Sequence, residues 1–149
     1  MKDKNEVNGV IYPIRNHNYK RLLTKSNPIY VKYIPHSNSK NATRLQIGNY
    51  IFFYLSKGDK LIIGYSKIKK ITFKTSEELI KSSINQIQMD KEEFIHYIQN
   101  REEKELLVLE LKKIMSLTNS INSPYPISMA GRYVSKEETK KFLYEWGDC

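Results

Sequence analysis

The sequence predicts an α+β fold, a mixed and curved sheet or small open barrel with helices around it. Three observations carry the prediction. β-Branched and aromatic runs in the first half follow one another too closely for parallel crossovers. Capping-box patterns announce helices in the second half, and between them lies an apolar run long enough for a buried strand. The 149 residues match the usual length of one domain, 1–149, and suffice to bury a core without disulfides or metals.

Val7 to Ile14 reads as a first strand ending at Tyr12-Pro13, and His17 to Thr24 places Tyr19, Leu22 and Leu23 at helical spacing. Pro28 precedes Ile29-Tyr30-Val31-Lys32-Tyr33, a strand whose ends are marked by Pro28 and Pro35. His36 to Thr43 is polar and reads as a loop. Gly48-Asn49 leads into a strand from Tyr50 to Ser56, Lys57-Gly58-Asp59-Lys60 forms a turn, and Leu61 restarts an apolar run, which makes a hairpin. The returning strand reaches toward Phe73, and Lys69-Lys70 breaks its alternation as a bulge would.

Thr75-Ser76-Glu77-Glu78 and Asp90-Lys91-Glu92-Glu93 each set a capping side chain three residues before a glutamate. After the second, Phe94, Tyr97 and Ile98 share a helix face, and Arg101 to Lys104 closes that helix. Glu105 to Ile114 is a strand with Leu107, Leu109 and Leu111 on one face and Leu106 and Val108 on the other, buried on both sides and therefore central. Asn119 to Pro126 reads as a loop. Ser135-Lys136-Glu137-Glu138 repeats the capping box before Phe142, Leu143 and Trp146 on a final helix.

Charge narrows the function. The net charge is +9, and residues 1–75 hold 15 basic and 3 acidic side chains against 10 and 13 in the remainder. No carboxylate lies between Glu6 and Asp59, a stretch that contains Arg15, Lys20, Arg21, Lys25, Lys32, Lys40, Arg44 and Lys57. A field of one sign attracts polyanions, whereas a merely solvated lysine-rich surface would not require the asymmetry. Cys149 is the only cysteine and has no partner for a bridge or zinc cluster, which fits a reducing compartment. No apolar stretch has membrane-span length and the N-terminus is too polar for a signal peptide, so a cytoplasmic protein is expected.

Gly48-Asn49-Tyr50-Ile51-Phe52-Phe53-Tyr54-Leu55-Ser56, returning through Ile63-Gly64-Tyr65-Ser66-Lys67-Ile68, resembles the core signature of PUA-like domains, including their EVE and ASCH branches. Gly9-Val10-Ile11-Tyr12-Pro13-Ile14, Asn27 to Lys32, and Pro126-Ile127-Ser128-Met129-Ala130-Gly131-Arg132-Tyr133 more narrowly resemble an uncharacterised archaeal family of that superfamily. The resemblance implies a PUA-like mixed-sheet pseudo-barrel whose pocket or groove binds RNA, DNA or a modified base. One departure limits it: the ASCH pattern sets a glutamate and arginine after its glycine and lysine, whereas this chain has Thr24-Lys25 and Tyr30-Val31-Lys32. The lysines persist without the acid, which leaves anion binding by Lys25 and Lys32.

Nucleic-acid sites combine cations for phosphate with flat rings on which bases stack. Among 11 tyrosines, Tyr30 pairs with Lys32, Tyr54 with Ser56 and Tyr65 with Lys67 at two-residue spacing, which puts each pair on one strand face. If those faces converge, they line one basic groove, with Lys57 beside it and Arg132 and Tyr133 closing it. The alternative for any single tyrosine is that it covers a sheet face with its hydroxyl satisfied. Lys67, Lys69, Lys70 and Lys74 extend the path or simply protect a strand edge.

Enzyme signatures are sparse. His17, His36 and His96 have no metal spacing, Gly58 and Gly64 suit a turn and a close strand approach, and the glutamates sit at helix caps. The expected protein therefore has no catalytic residue, metal or cofactor, binds RNA or another nucleic acid or nucleotide away from membranes, and is a monomer or weak homodimer. Two other classes remain open: a metal-free hydrolase or nuclease of the ASCH type using Lys25, Tyr54 and Arg132, and a protein-interaction module docking through the helix of Phe142 and Trp146.

Overall fold

The computed structural model describes residues 6–33, 43–56, 60–101 and 104–145. Lys57 and its turn, Pro35, His36, Lys40, Trp146 and Cys149, to which the sequence assigned roles, lie outside the described residues. Among those described, the elements run β1 (Val7–Ile14), α1 (Asn16–Leu23), β2 (Ile29–Lys32), β3 (Tyr50–Leu55), β4 (Leu61–Thr75), α2 (Ser76–Ser82), α3 (Lys91–Ile98), β5 (Glu105–Leu111), β6 (Met115–Asn122), β7 (Arg132–Ser135) and α4 (Lys136–Lys140). A π-helical turn over Lys141–Glu145 continues α4.

The strands form one mixed sheet in the order β2-β5-β4-β3-β1-β7, with β6 also on β4. β1 and β3 are parallel, Gly9 facing Tyr50 and Ile14 facing Leu55; the other pairs are antiparallel. The α+β class and the mixed sheet with peripheral helices are as the sequence predicts. β4 is the hinge of the sheet. Its first half pairs with β3 and β6 and its second with β5, and the register slips between Ile68 and Lys70, at the lysine doublet expected to interrupt it.

Side-chain alternation sorts the core into layers. Val10, Tyr12, Tyr30, Phe53, Leu107 and Leu109 form one layer with Tyr19 and Leu22 of α1. Val31, Leu106 and Val108 pack against Leu79 of α2 and Phe94 and Ile98 of α3. Ile11, Phe52, Tyr54 and Ile62 meet Phe142 and Leu143 beyond α4. Leu106 to Leu109 are each at most 1% exposed, so β5 is buried on both faces, as its unbroken apolar run requires.

Caps fix the helix starts. Thr75 and Ser135 each form a complete capping box, with Glu78 and Glu138 respectively. At Asp90 only half forms: its side chain accepts from the Glu93 N–H at 2.8 Å, while the Glu93 carboxylate turns elsewhere. The strand count departs from the sequence reading. β6 covers residues read as the start of a loop, and β7 is a four-residue strand in a segment with no strand signal of its own. β6 is exposed along most of its length, so no alternation marks it. β7 is short and gains its place from pairing with β1.

Candidate nucleic-acid interface

The parallel strands β1 and β3 end side by side, and the Ser56 N–H donates to the Ile14 carbonyl at 3.0 Å. α1 starts immediately after β1, and β2 ends nearby at Lys32. A cleft of about 350 Å³ opens there, lined by Pro13, Arg15, Asn18, Tyr30, Lys32, Ser56, Gln88, Glu93, His96, Tyr97 and Met129 among others.

Lys32 dominates its electrostatics. The residue is 8% exposed, and its Nζ lies 5.5 Å from the centroid of the Tyr12 ring. Among the described residues no carboxylate pairs with it. Burial lowers its pKa from the ordinary lysine value, because a low-dielectric setting penalises the charged form. Tyr12 and Tyr30 stack at 5.4 Å, and the Tyr30 hydroxyl donates to the Pro13 carbonyl at 3.0 Å. Tyr30 thus joins β2 to β1 and sets the floor of the cleft.

Arg15, at the N-cap of α1, supplies no side-chain hydrogen bond. The first-turn N–H groups of α1 have no side-chain cap, and they sit at the positive end of the helix. Opposite them, Glu93 on α3 receives hydrogen bonds from Asn18 Nδ2, 3.0 Å from each oxygen, and contacts His17 Nε2 at 3.1 Å. The capping box left incomplete at Asp90 has released this carboxylate to tie α3 to α1. Asn18 Nδ2 also donates to the Gln88 carbonyl at 2.9 Å.

Gln88 fixes β2 from outside. Its Nε2 donates to the Val31 carbonyl at 2.8 Å and its Oε1 accepts from the Val31 N–H at 3.0 Å. The neighbouring N–H groups are also engaged, Ile29 with the Gln86 carbonyl at 3.0 Å and Tyr33 with the Tyr97 hydroxyl at 2.9 Å. Tyr33 and Tyr97 stack at 5.3 Å, with the Arg101 guanidinium 5.3 and 5.8 Å from their ring centroids. Burial raises the Tyr97 pKa against the lowering effects of Tyr33 and Arg101. A cation-backed aromatic platform therefore adjoins the cleft.

The residues singled out from sequence divide between sites. Tyr30, Lys32 and Ser56 meet at the cleft. Lys25 lines a separate hollow of about 340 Å³ with Leu22, Leu23, Ser26, Pro28, Lys113 and Ile114; burial, then Arg21, lowers its pKa. Tyr54 is buried with Phe52 in the layer under Phe142, on the other side of the sheet from Tyr30. Its expected pairing with Ser56 is lost because β3 ends at Leu55. Tyr65 packs against that same far layer, and Lys67 lies 5.3 Å from the Tyr50 centroid, so the three tyrosine-bearing faces do not converge. Arg132 stacks on Tyr125 at 3.8 Å and pairs with Glu138 at 3.6 Å, while the Tyr125 hydroxyl donates to Glu138. Tyr133 accepts the Arg44 N–H at 3.0 Å. Sequence reasoning missed the cleft's Asn18, Gln88, Glu93, Tyr97 and Met129, which long-range packing brings together.

A family model described as "Domain of unknown function (DUF365)" matches residues 7–136. The chain belongs to the DUF365 family. No curated protein matches it. Among solved structures, the DUF365 chain is similar to an ASCH protein from Zymomonas mobilis, with a TM-score of 0.75 at 14% identity over 93% of this chain and 96% of that one. A tyrosine-to-phenylalanine variant of that protein gives 0.75 at 12% identity, covering 93% and 99%. A serine-to-alanine variant gives 0.74 at 14% identity, covering 93% and 96%. At such identities the likeness establishes the fold alone, one shared with the ASCH protein, and the DUF365 model ties the sequence to its family.

Proposed function

We propose that this protein binds single-stranded RNA, or another nucleic acid with an unpaired nucleotide, by taking a phosphate between Lys32 and the start of α1. The observation that carries the reading is Lys32 itself, 8% exposed and without a carboxylate partner among the described residues, in a cleft of about 350 Å³. Holding a lone cation there costs stability, and a phosphate would supply the missing counter-charge. The uncapped N–H groups of α1 favour the same charge. The Tyr33–Tyr97 platform offers a face for the adjoining base. Glu93 does not oppose the anion with a bare charge, since Asn18 and His17 engage it.

The family resemblance to ASCH and PUA-like domains supports nucleic acid as the ligand class. The hydrolase reading has no comparable support, because Lys25, Tyr54 and Arg132 lie in three different settings. Fluorescence anisotropy with labelled single-stranded RNA, structured RNA and matched DNA across a salt series tests the proposal. Salt-sensitive binding weakened by Lys32→Ala is the expected result. Absence of binding to all three at low salt overturns it.

A further inference from the structure

We propose that Lys32 forms a reversible imine with the open-chain aldehyde of a phosphorylated sugar held in the cleft, either an abasic residue of a nucleic acid or a free pentose phosphate. The inference deepens the nucleic-acid reading of the same cleft and rests on it for the phosphate.

Three features of the geometry point to this chemistry. An amine adds to a carbonyl only when unprotonated, and exposed lysines are hydrated ammonium ions at neutral pH. Lys32 is the exception in its surroundings: it is 8% exposed, rests over the Tyr12 ring and has no ion-pair partner among the described residues. Its lowered pKa agrees with that setting. Secondly, Lys32 is the one lysine among the described residues of the cleft lining, and Arg15 there is not a nucleophile at any ordinary pH. Thirdly, the same lining carries groups able to move protons, Ser56, Glu93, His96 and Tyr97. A sugar lacking its base occupies less of the cleft than an intact nucleotide while keeping the phosphate that the start of α1 would hold.

The step balances without an oxidant or reductant. The Lys32 nitrogen lone pair adds to the aldehyde carbon, the C–N bond forms, and the carbonyl π pair becomes an alkoxide that takes a proton. The resulting carbinolamine loses its hydroxyl, protonated, as water, while the nitrogen lone pair forms the C=N bond. One ammonium and one aldehyde yield one protonated imine and one water.

The test uses the full chain with three probes: a single-stranded oligonucleotide containing one abasic site, its intact counterpart, and ribose 5-phosphate. Each mixture is treated with cyanoborohydride, which reduces an imine to a stable amine, and the adduct is located by mass spectrometry. Binding of the intact oligonucleotide is measured in parallel by anisotropy. The expected result is an adduct on Lys32 forming about tenfold or more faster than on any exposed lysine, and lost in Lys32→Arg, which keeps a positive charge but offers no nucleophilic amine. Trapping of the oligonucleotide assigns a polymer substrate, and trapping of ribose 5-phosphate alone assigns a free sugar phosphate. Binding of the intact oligonucleotide with no adduct, or with adducts spread over surface lysines, overturns the imine and leaves the binding reading standing. An adduct of ribose 5-phosphate alone on Lys32, without any binding of the intact strand, keeps the imine and removes the nucleic-acid reading. Failure of both removes both. Circular dichroism checks the fold of Lys32→Arg, and the position of the wild-type adduct decides the matter if that variant does not fold.

Discussion

Replacing Lys32 with methionine keeps an unbranched, adaptable side chain and removes the ammonium. In the free protein the change relieves a buried charge with no carboxylate partner among the described residues, whose effective cost is on the order of several kcal/mol. It forfeits the contact with the Tyr12 ring, 5.5 Å from Nζ, of about 0.5–2 kcal/mol. The net expected gain is about 1 kcal/mol, or roughly 2–4 °C in Tm for a chain of this length. The gain depends on pH with a definite sign. Because burial lowers the folded-state pKa of Lys32, protons bind the unfolded chain more tightly. The penalty is complete below the folded pKa and disappears as pH rises through it toward the ordinary lysine value. The variant's advantage therefore narrows over that alkaline window. Binding should move the opposite way: losing one charge-assisted phosphate contact costs about 1.5–3 kcal/mol, on the order of 10- to 150-fold in Kd. The salt slope should fall by about one. Thermal melts from neutral to alkaline pH and anisotropy titrations check both halves. A methionine variant that is less stable at neutral pH and binds RNA as tightly as wild type would refute the reasoning.

Other expectations follow from single contacts. Gly64→Ala would drive a methyl into the Tyr19 hydroxyl and to 3.0 Å from the Met115 carbonyl; a loss of about 1–3 kcal/mol is expected in urea denaturation, and an unchanged midpoint would show that the strands part easily. Gln88→Ala leaves the Val31 N–H and carbonyl without their side-chain partners, a destabilisation of about 2 kcal/mol with weaker RNA binding as β2 loosens; binding that survives intact would separate the cleft from that edge. The Glu138 carboxyl is pushed up by burial, yet the Tyr125 hydroxyl, the Ser135 N–H and Arg132 outweigh this and lower its pKa. Its stabilising effect is thus present above the ordinary glutamate range and lost as pH falls through the folded value. Acid titration of Glu138→Gln against wild type should show curves that differ at neutral pH and merge in acid, and parallel curves would count against the assignment.

Much of the scaffold was legible because its signals are local. Thr75 with Glu78 and Ser135 with Glu138 are read from a four-residue spacing, and the Leu106–Leu109 run can only be buried on both faces. The lysine doublet in β4 interrupts alternation where the register slips. β6 escaped because its exposure erases periodicity, and β7 because four residues carry too little pattern. The candidate site was half legible. Tyr30 and Lys32 share a face by strand geometry, and that rule placed them correctly together. The same rule misleads for Tyr54 and Ser56, since it holds only while the strand continues, and it cannot say which side of the sheet a given face will cover. Gln88, Glu93 and Asn18 carry no motif: Gln88 is some 57 residues from its Val31 partner and Glu93 some 75 from Asn18. The one trace in the sequence was a glutamate in a capping position, and it differs from the other two only in what lies across from it.

The outward edge of β2 has a consequence beyond ligand binding. An unpaired strand border presents alternating N–H and carbonyl groups on which a foreign strand can grow. Here successive outward N–H groups are engaged by three unlike acceptors: a main-chain carbonyl for Ile29, a side-chain amide for Val31 and a phenol for Tyr33. A foreign strand would have to displace all three partners to reach these N–H groups. The border is thereby guarded against strand addition and fibril templating, and the segment carrying Gln86 and Gln88 acts as a selvedge for the sheet.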